Sequence, residues 1–334
     1  MVNPFSNETQ FFYSLHFEDV LRAVEQLGCR ATGRVMPLNS LENRVFQVEI
    51  EVDENKISSD YDRYRIAKFY RPGRWTEAQI LEEHTLLQSL EAQEISVAAP
   101  LKFSDGSTLQ ILDEQNIHFC ISSKIGGRHK SELPLQEQKV IGRTLARLHN
   151  ISSTNNKTAR PSLTPVTYGE ENIDFICNSE YLPASSHHSY KSVAAPIIAR
   201  AKIKYENLPL FRIHGDFHLG NVLWNNEQPT LLDFDDMVLG PAIQDLWLLN
   251  PGRDEASIER REALIDGYQE LRTFSESELE LVELLRALRI IHFQAWIGRR
   301  WKDPAFQRTF PEYGTPKYWR GELAALTEIC EIVC

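Results

Sequence analysis

Asp216 stands five residues before Asn221 in the stretch His214-Gly215-Asp216-Phe217-His218-Leu219-Gly220-Asn221, and Asp233 follows in Leu231-Leu232-Asp233-Phe234-Asp235-Asp236. Two carboxylates and a carboxamide are hard oxygen donors, the kind magnesium takes alongside phosphate and water. Joined by what reads as a β-hairpin, they form a layout suited to holding Mg-ATP beside an acceptor hydroxyl. Phosphoryl transfer is mostly positioning and charge neutralisation, in which metal ions bridge phosphate oxygens, a cation holds the phosphates and a carboxylate orients the nucleophile. Asp216 is the candidate for orienting the hydroxyl and accepting its proton, and Asn221 and Asp233 are the candidates for the metal. Lys68, in mid-strand, is the candidate for the phosphates.

The elements that must position these groups are legible in outline. Phe17 to Leu27 reads as an amphipathic helix stopped at Gly28. Arg44–Ile50 and Tyr64–Tyr70 alternate as antiparallel strands do, with a polar stretch from Asp53 to Asp62 between them. Pro72-Gly73 ends the second strand, and Thr76 caps a helix through Leu90 with Ile80, His84 and Leu87 on one face. That helix offers Glu82 or Glu83 to pair with Lys68, and Glu83 is preferred. Short strands are expected near Thr108–Leu112 and His118–Ser122, then a hinge at Gly126-Gly127 and a helix after Pro134 carrying Ile141, Leu145 and Leu148. Ser152–Pro165 and Ser185–Ser189 read as surface loops. Helices are expected near Lys191–Glu206, Ile243–Leu249, Glu255–Arg272, Glu276–Arg299 and Tyr318–Ile332.

A strand lysine or a helix glutamate taken alone is usually a solvated charge, and an aspartate near an asparagine is commonly a turn. The joint order outweighs those readings: strand Lys, helix Glu, paired glycines, His-Gly-Asp-x-His-x-x-Asn, then Leu-Asp-Phe-Asp. In that order His214–Asn221 resembles the catalytic loop of aminoglycoside phosphotransferases and choline kinases, and Leu232–Asp236 resembles their metal-binding segment. Pro37–Val45, Lys68–Pro72, Ile80–His84, Gly240–Trp247 and Arg299–Phe306 are similar to the bacterial stress response kinase A family of serine/threonine kinases.

The resemblance implies an α+β, two-lobed protein-kinase-like fold, with a sheet-rich lobe over residues 1–123 and a helical lobe over 124–334, and ATP bound between them. It implies Asp216 as proton acceptor, Asn221 and Asp233 as magnesium ligands, and Ser40 as a phosphate-loop position, with Asn43 and Arg44 of the same turn as further nucleotide contacts. The position of Glu83 resembles the glutamate that clamps the phosphate-binding lysine. Asp245 resembles the aspartate that braces the catalytic loop, although it also suits a helix N-cap. His218 is placed to touch the transferred phosphate, and His214 is a structural hydrogen-bonder. Asp235 and Asp236 are an acidic lip for a cationic acceptor or a support for the metal. Trp296 and Trp301 read as core, while Arg299 and Arg300 are able to face an anionic substrate. No G-x-G-x-x-G covers the phosphates, and only six residues separate Asp233 from Gly240, too few for an activation segment.

The 334 residues suit two lobes, and 42% hydrophobic with 25% charged residues is ordinary globular composition. A net charge of −11 argues against nucleic acid or an anionic membrane as the main partner. No apolar run is long enough for a membrane span and no signal peptide opens the chain, so a cytoplasmic protein is expected. The five cysteines are scattered, as free thiols in a reducing compartment are. A monomeric Mg- and ATP-dependent kinase acting on Ser or Thr of proteins in a stress response is the leading expectation. A small-molecule kinase for homoserine, choline or an aminoglycoside, and a nucleotide-binding pseudokinase, are the alternatives.

Overall fold

The computed structural model describes residues 12–334 except 54, 56, 155, 156, 226 and 227. The opening residues read for a signal peptide, and parts of the Asp53–Asp62 and Ser152–Pro165 stretches, therefore lie outside the described residues. The chain forms two compact units: Met1–Leu133 with Lys157–Ala159 and Leu219–Asp235, and Pro134–Asn156 with Arg160–His218 and Asp236–Cys334. A single cut after residue 123 is simpler than this division, because the chain returns to the first unit for the hairpin after His218. Among the described residues no helix is long and apolar enough to cross a membrane.

The first unit is built on a five-stranded antiparallel sheet, β1 (Ala31–Leu38), β2 (Arg44–Ile50), β3 (Tyr64–Phe69), β4 (Gln110–Leu112) and β5 (Ile117–Ser123), in the order β1-β2-β3-β5-β4. Alternation of side chains decides what each face of the central strand meets. Ala67 and Phe69 join the core formed with Val20, Ala23 and Val24 of helix α1 (Phe17–Glu25). Lys68 and Tyr70 project to the opposite face, covered by α2 (Glu77–Ala92), where Tyr70, Ile80 and Cys120 form a second cluster. The α2 N-terminus is capped by a reciprocal Thr76–Gln79 box.

β1 was not expected from the sequence, and its structure gives the reason. It is an edge strand with a register shift between Ala31 and Val35, it carries Pro37, and most of its side chains are exposed, so no hydrophobic alternation marks it. The hairpin Val222–Asn225/Gln228–Leu231 pairs Val222 with Leu231.

The second unit is helical: α3 (Leu135–Ser152), α4 (Glu171–Asn178), α5 (His187–Tyr205), α6 (Ile243–Trp247), α7 (Glu255–Gln269), α8 (Val282–Arg299), α9 (Pro304–Thr309) and α10 (Pro316–Val333). A short two-stranded ladder joins Phe211–Ile213 to Val238–Gly240. α3 and α7 approach so closely that a Cβ on Gly142 would meet the Leu264 carbonyl at 2.0 Å. The expected loop at Ser185–Ser189 is corrected: a 3-10 turn over Ala184–Ser186 leads into α5 at His187. Helices α4 and α9 lie in stretches where none was expected, each too short to display a helical period clearly.

Candidate active site

The charged centre of the first unit is assembled by β3, α2 and the end of the hairpin. Lys68 Nζ lies 3.4 Å from Glu83 Oε1 and 3.0 Å from Asp235 Oδ1. Glu82 instead accepts the backbone N–H of Ala159 through Oε2 at 2.7 Å. The helix is pinned one residue beyond Glu83, since His84 reaches the Tyr70 hydroxyl and Thr108 Oγ1, both at 2.8 Å. Burial alone would lower the pKa of Lys68, but Asp235, Glu83 and Asp233 outweigh it and hold the ammonium protonated well above its ordinary value.

Asp235 is the hub of this network. It is 2% exposed, and its carboxylate meets Lys68, the Arg74 guanidinium and Asn43 Nδ2, the last at 3.1 Å. Buried among these donors, it does not form an exposed acidic lip. Asn43 Oδ1 in turn accepts the Arg71 N–H at 3.1 Å, so its side-chain amide is engaged by protein at both ends. Arg44 donates to the Asn43 carbonyl at 3.1 Å and stacks over Phe12, while Ser40 occupies the half-buried turn between β1 and β2. Arg74, which the sequence reading passed over, also pairs with Glu42 at 3.3 Å.

Asn221 and Asp233 stand at the open end of the hairpin. The Leu232 N–H donates to the Asn221 carbonyl at 2.9 Å, which brings the two side-chain bearers to neighbouring positions. Asp233 has φ +58°, a left-handed conformation that aspartate tolerates better than most residues and that is frequent at functional sites. One carboxylate and one amide oxygen on adjoining backbone fit magnesium, which usually takes few protein ligands and completes its shell with phosphate and water.

Asp216 belongs to the second unit, where buried hydrogen bonds fix its loop. Asp245, 0% exposed, sits inside α6 and not at its cap. Its two oxygens accept the backbone N–H groups of His214 and Gly215 at 2.8 and 2.9 Å. His149 Nε2 lies 3.0 Å from the same carboxylate, and its Nδ1 lies 2.8 Å from the Tyr268 hydroxyl. Gly215 is required by the turn: it has φ +86°, and a Cβ would meet the Asp236 carbonyl at 2.3 Å. His214 is fully buried and packs edge-on against Phe217, a structural placement.

One oxygen of Asp216 faces an arginine and the other an imidazole. Arg289 Nη1 of α8 lies 2.8 Å from Oδ1, and His218 Nε2 lies 3.5 Å from Oδ2. Burial raises the Asp216 pKa, but the His218 hydrogen bond and the charges of Arg289, His218 and His214 prevail and hold the carboxyl well below the usual range. Arg289 carried no signal in the sequence, since an arginine on a helix is ordinarily a surface charge.

The first unit thus gathers Lys68, Glu83, Asn221, Asp233 and Asp235, and the second gathers Asp216, His214, His218 and Asp245. The profile of the phosphotransferase enzyme family matches residues 34–289. The chain belongs to that family. Among curated phosphotransferase relatives, stress response kinase A of Escherichia coli K12 is 34% identical over 98% of this chain and 96% of its own. The serine/threonine protein kinase RdoA of Salmonella typhimurium is 35% identical with the same coverage. Of solved structures, amicoumacin kinase hAmiN, in complex with AMP-PNP, calcium and Ami, superposes with TM-score 0.71 over 94% of this chain and 93% of that one, at 19% identity. The two-lobed aminoglycoside phosphotransferase-like fold follows from this likeness together with the sheet-rich first and helical second units.

In a phosphotransferase that uses Lys68 to align ATP, Glu83→Gln should raise KM for ATP and lower kcat by about tenfold together, the factor that corresponds to about 1.4 kcal/mol. The melting temperature should change little, because Asp235 still holds the ammonium. Steady-state kinetics beside a thermal melt checks both; unchanged kinetics would leave Glu83 without a role in alignment.

Proposed function

We propose that this phosphotransferase is an ATP- and magnesium-dependent kinase that phosphorylates Ser or Thr hydroxyls of proteins. The observation that carries the reading is Asp216, kept ionised by Arg289 and His218 on a loop braced by Asp245. An ionised carboxylate accepts the hydrogen bond of a hydroxyl and orients it, and takes the proton only as the oxygen bonds to phosphorus. In the proposed step the acceptor oxygen attacks the γ-phosphorus, its proton passes to Asp216, and the bond from the γ-phosphorus to the bridging oxygen breaks as ADP leaves. Asn221 and Asp233 would hold magnesium, which neutralises charge on the phosphate oxygens. Lys68, oriented by Glu83 and Asp235, would align the nucleotide.

Similarity to stress response kinase A and RdoA supports a protein acceptor and a part in a stress response. The likeness to a kinase crystallised with Ami keeps a small alcohol as the second reading. Labelled ATP supplied with magnesium, offered in parallel to cell-extract proteins and to a panel of amino alcohols and aminoglycosides, separates the two. Label on protein Ser or Thr is expected; saturable, fast turnover on one small alcohol with no protein labelled would reject the protein-kinase reading.

A further inference from the structure

The solvent side of α8 carries a row of which the proposed reaction uses only the first member, Arg289. Arg289, Phe293, Trp296 and Arg300 are spaced by four, three and four residues, which places them along one stripe of the helix and its C-cap. The row starts at the catalytic aspartate, because Arg289 meets Asp216. Phe293 is 43% exposed and stacks on Trp296, with ring centroids 5.4 Å apart and planes 16° from parallel. Behind them Phe306 packs on Trp296 at 4.8 Å and Phe310 meets Phe293 edge-on at 5.6 Å, so the shelf is backed by further rings. At the far end the Arg300 guanidinium lies 5.3 Å from the Trp296 ring.

Charge sets this row apart. The chain holds 47 acidic residues, yet Arg289 to Arg300 contains none, and Lys302 follows two residues later. With Arg289 already paired to Asp216, an aromatic shelf that ends at Arg300 suits a ligand with an apolar side chain and, at the Arg300 end, a carboxylate. Eleven residues at a rise of 1.5 Å make the row about 16 Å long. A small alcohol seated at Asp216 does not reach Arg300, whereas an extended peptide covers that span in about five residues.

We infer that the α8 row is the docking track for the phosphoacceptor segment of a protein substrate, with an aromatic or aliphatic residue on Phe293 and Trp296 and an Asp or Glu about five residues from the acceptor at Arg300. The inference rests on the protein-kinase reading and specifies its substrate class. It also gives Arg300 the use that the sequence suggested for Arg299 and Arg300, facing an anionic group of the substrate.

The test is a positional-scanning library of Ser- and Thr-containing peptides phosphorylated by the full-length protein with Mg-ATP. The wild type is expected to select Asp or Glu four to six residues from the acceptor and an apolar residue in between. Arg300→Glu should turn the acidic preference into a basic one, changing kcat/KM for the best acidic peptide by about tenfold or more, with the KM for ATP unchanged. Phe293→Ala should remove the apolar preference. Thermal melts establish that both variants fold. Peptides labelled without an acidic preference, or an acidic preference that survives Arg300→Glu, overturn the track and leave the protein-kinase reading standing. A wild-type protein that labels no peptide yet turns over a small alcohol rejects that reading, and the track with it.

Discussion

Asp216→Ala is expected to lower kcat by about 10²–10⁴-fold, the range over which a positioned general base contributes, while ATP still binds with nearly wild-type affinity. The residues that would hold the nucleotide and its metal, Lys68, Asn221 and Asp233, belong to the other compact unit and are untouched by the change. Asp216→Asn is the sharper variant, because it keeps the shape while removing the charge and the basicity. Single-turnover transfer, with ATP affinity measured separately by calorimetry, checks the prediction. Wild-type turnover in the purified variants would remove Asp216 from the chemistry, and loss of nucleotide binding would make its role structural.

The environment of Asp216 adds a pH dependence with a definite sign. The proposed base acts when ionised, and Arg289 and His218 hold its pKa below the ordinary carboxylate range. The acid limb of the wild-type kcat/KM profile should therefore lie below about pH 3.9, the unperturbed aspartate value, where folding itself is at risk. Arg289→Gln removes one cation at 2.8 Å, so the Asp216 pKa rises and the acid limb moves to higher pH. A profile unchanged by Arg289→Gln would show that the ion pair does not tune the base.

What the sequence disclosed and what it hid divide along physical lines. β2 and β3 were legible because each has one face in the core, and the helix after Thr76 because its cap and its buried positions agree. The edge strand β1, bulged and mostly exposed, lacks that imprint. Spacing along the chain singled out Asp216, Asn221 and Asp233 as candidates because their placement is local, set by one loop and one hairpin. The long-range partners were hidden for the opposite reason. Arg289 is 73 residues from Asp216, and Arg74 is 161 from Asp235, so nothing in the local pattern joins them. The acidic pair Asp235-Asp236 read as a lip for the acceptor or a support for the metal, and only the fold reveals that Asp235 is buried against cations.

Asp245 decides whether the loop that carries Asp216 is held by a buried carboxylate or whether the residue merely begins a helix. A helix cap lost to alanine costs about 1 kcal/mol. The structure places its two oxygens on the backbone N–H groups of His214 and Gly215, with His149 sharing one of them and no solvent to replace it. Asp245→Ala leaves those buried donors without an acceptor at roughly 1–3 kcal/mol each, so a total loss near 3–5 kcal/mol is expected, the range seen when one partner of a buried charged network is removed. That is a large part of the usual 5–15 kcal/mol of folding stability. Asp245→Asn should recover little, because its NH2 group turns a donor toward another donor. Urea unfolding of the three proteins measures the cost. At temperatures where the alanine variant remains folded, kcat should fall while ATP affinity holds, since the loop that carries Asp216 has lost its brace. A loss near 1 kcal/mol with normal kcat would reduce Asp245 to helix stabilisation and leave the positioning of Asp216 to the turn at Gly215.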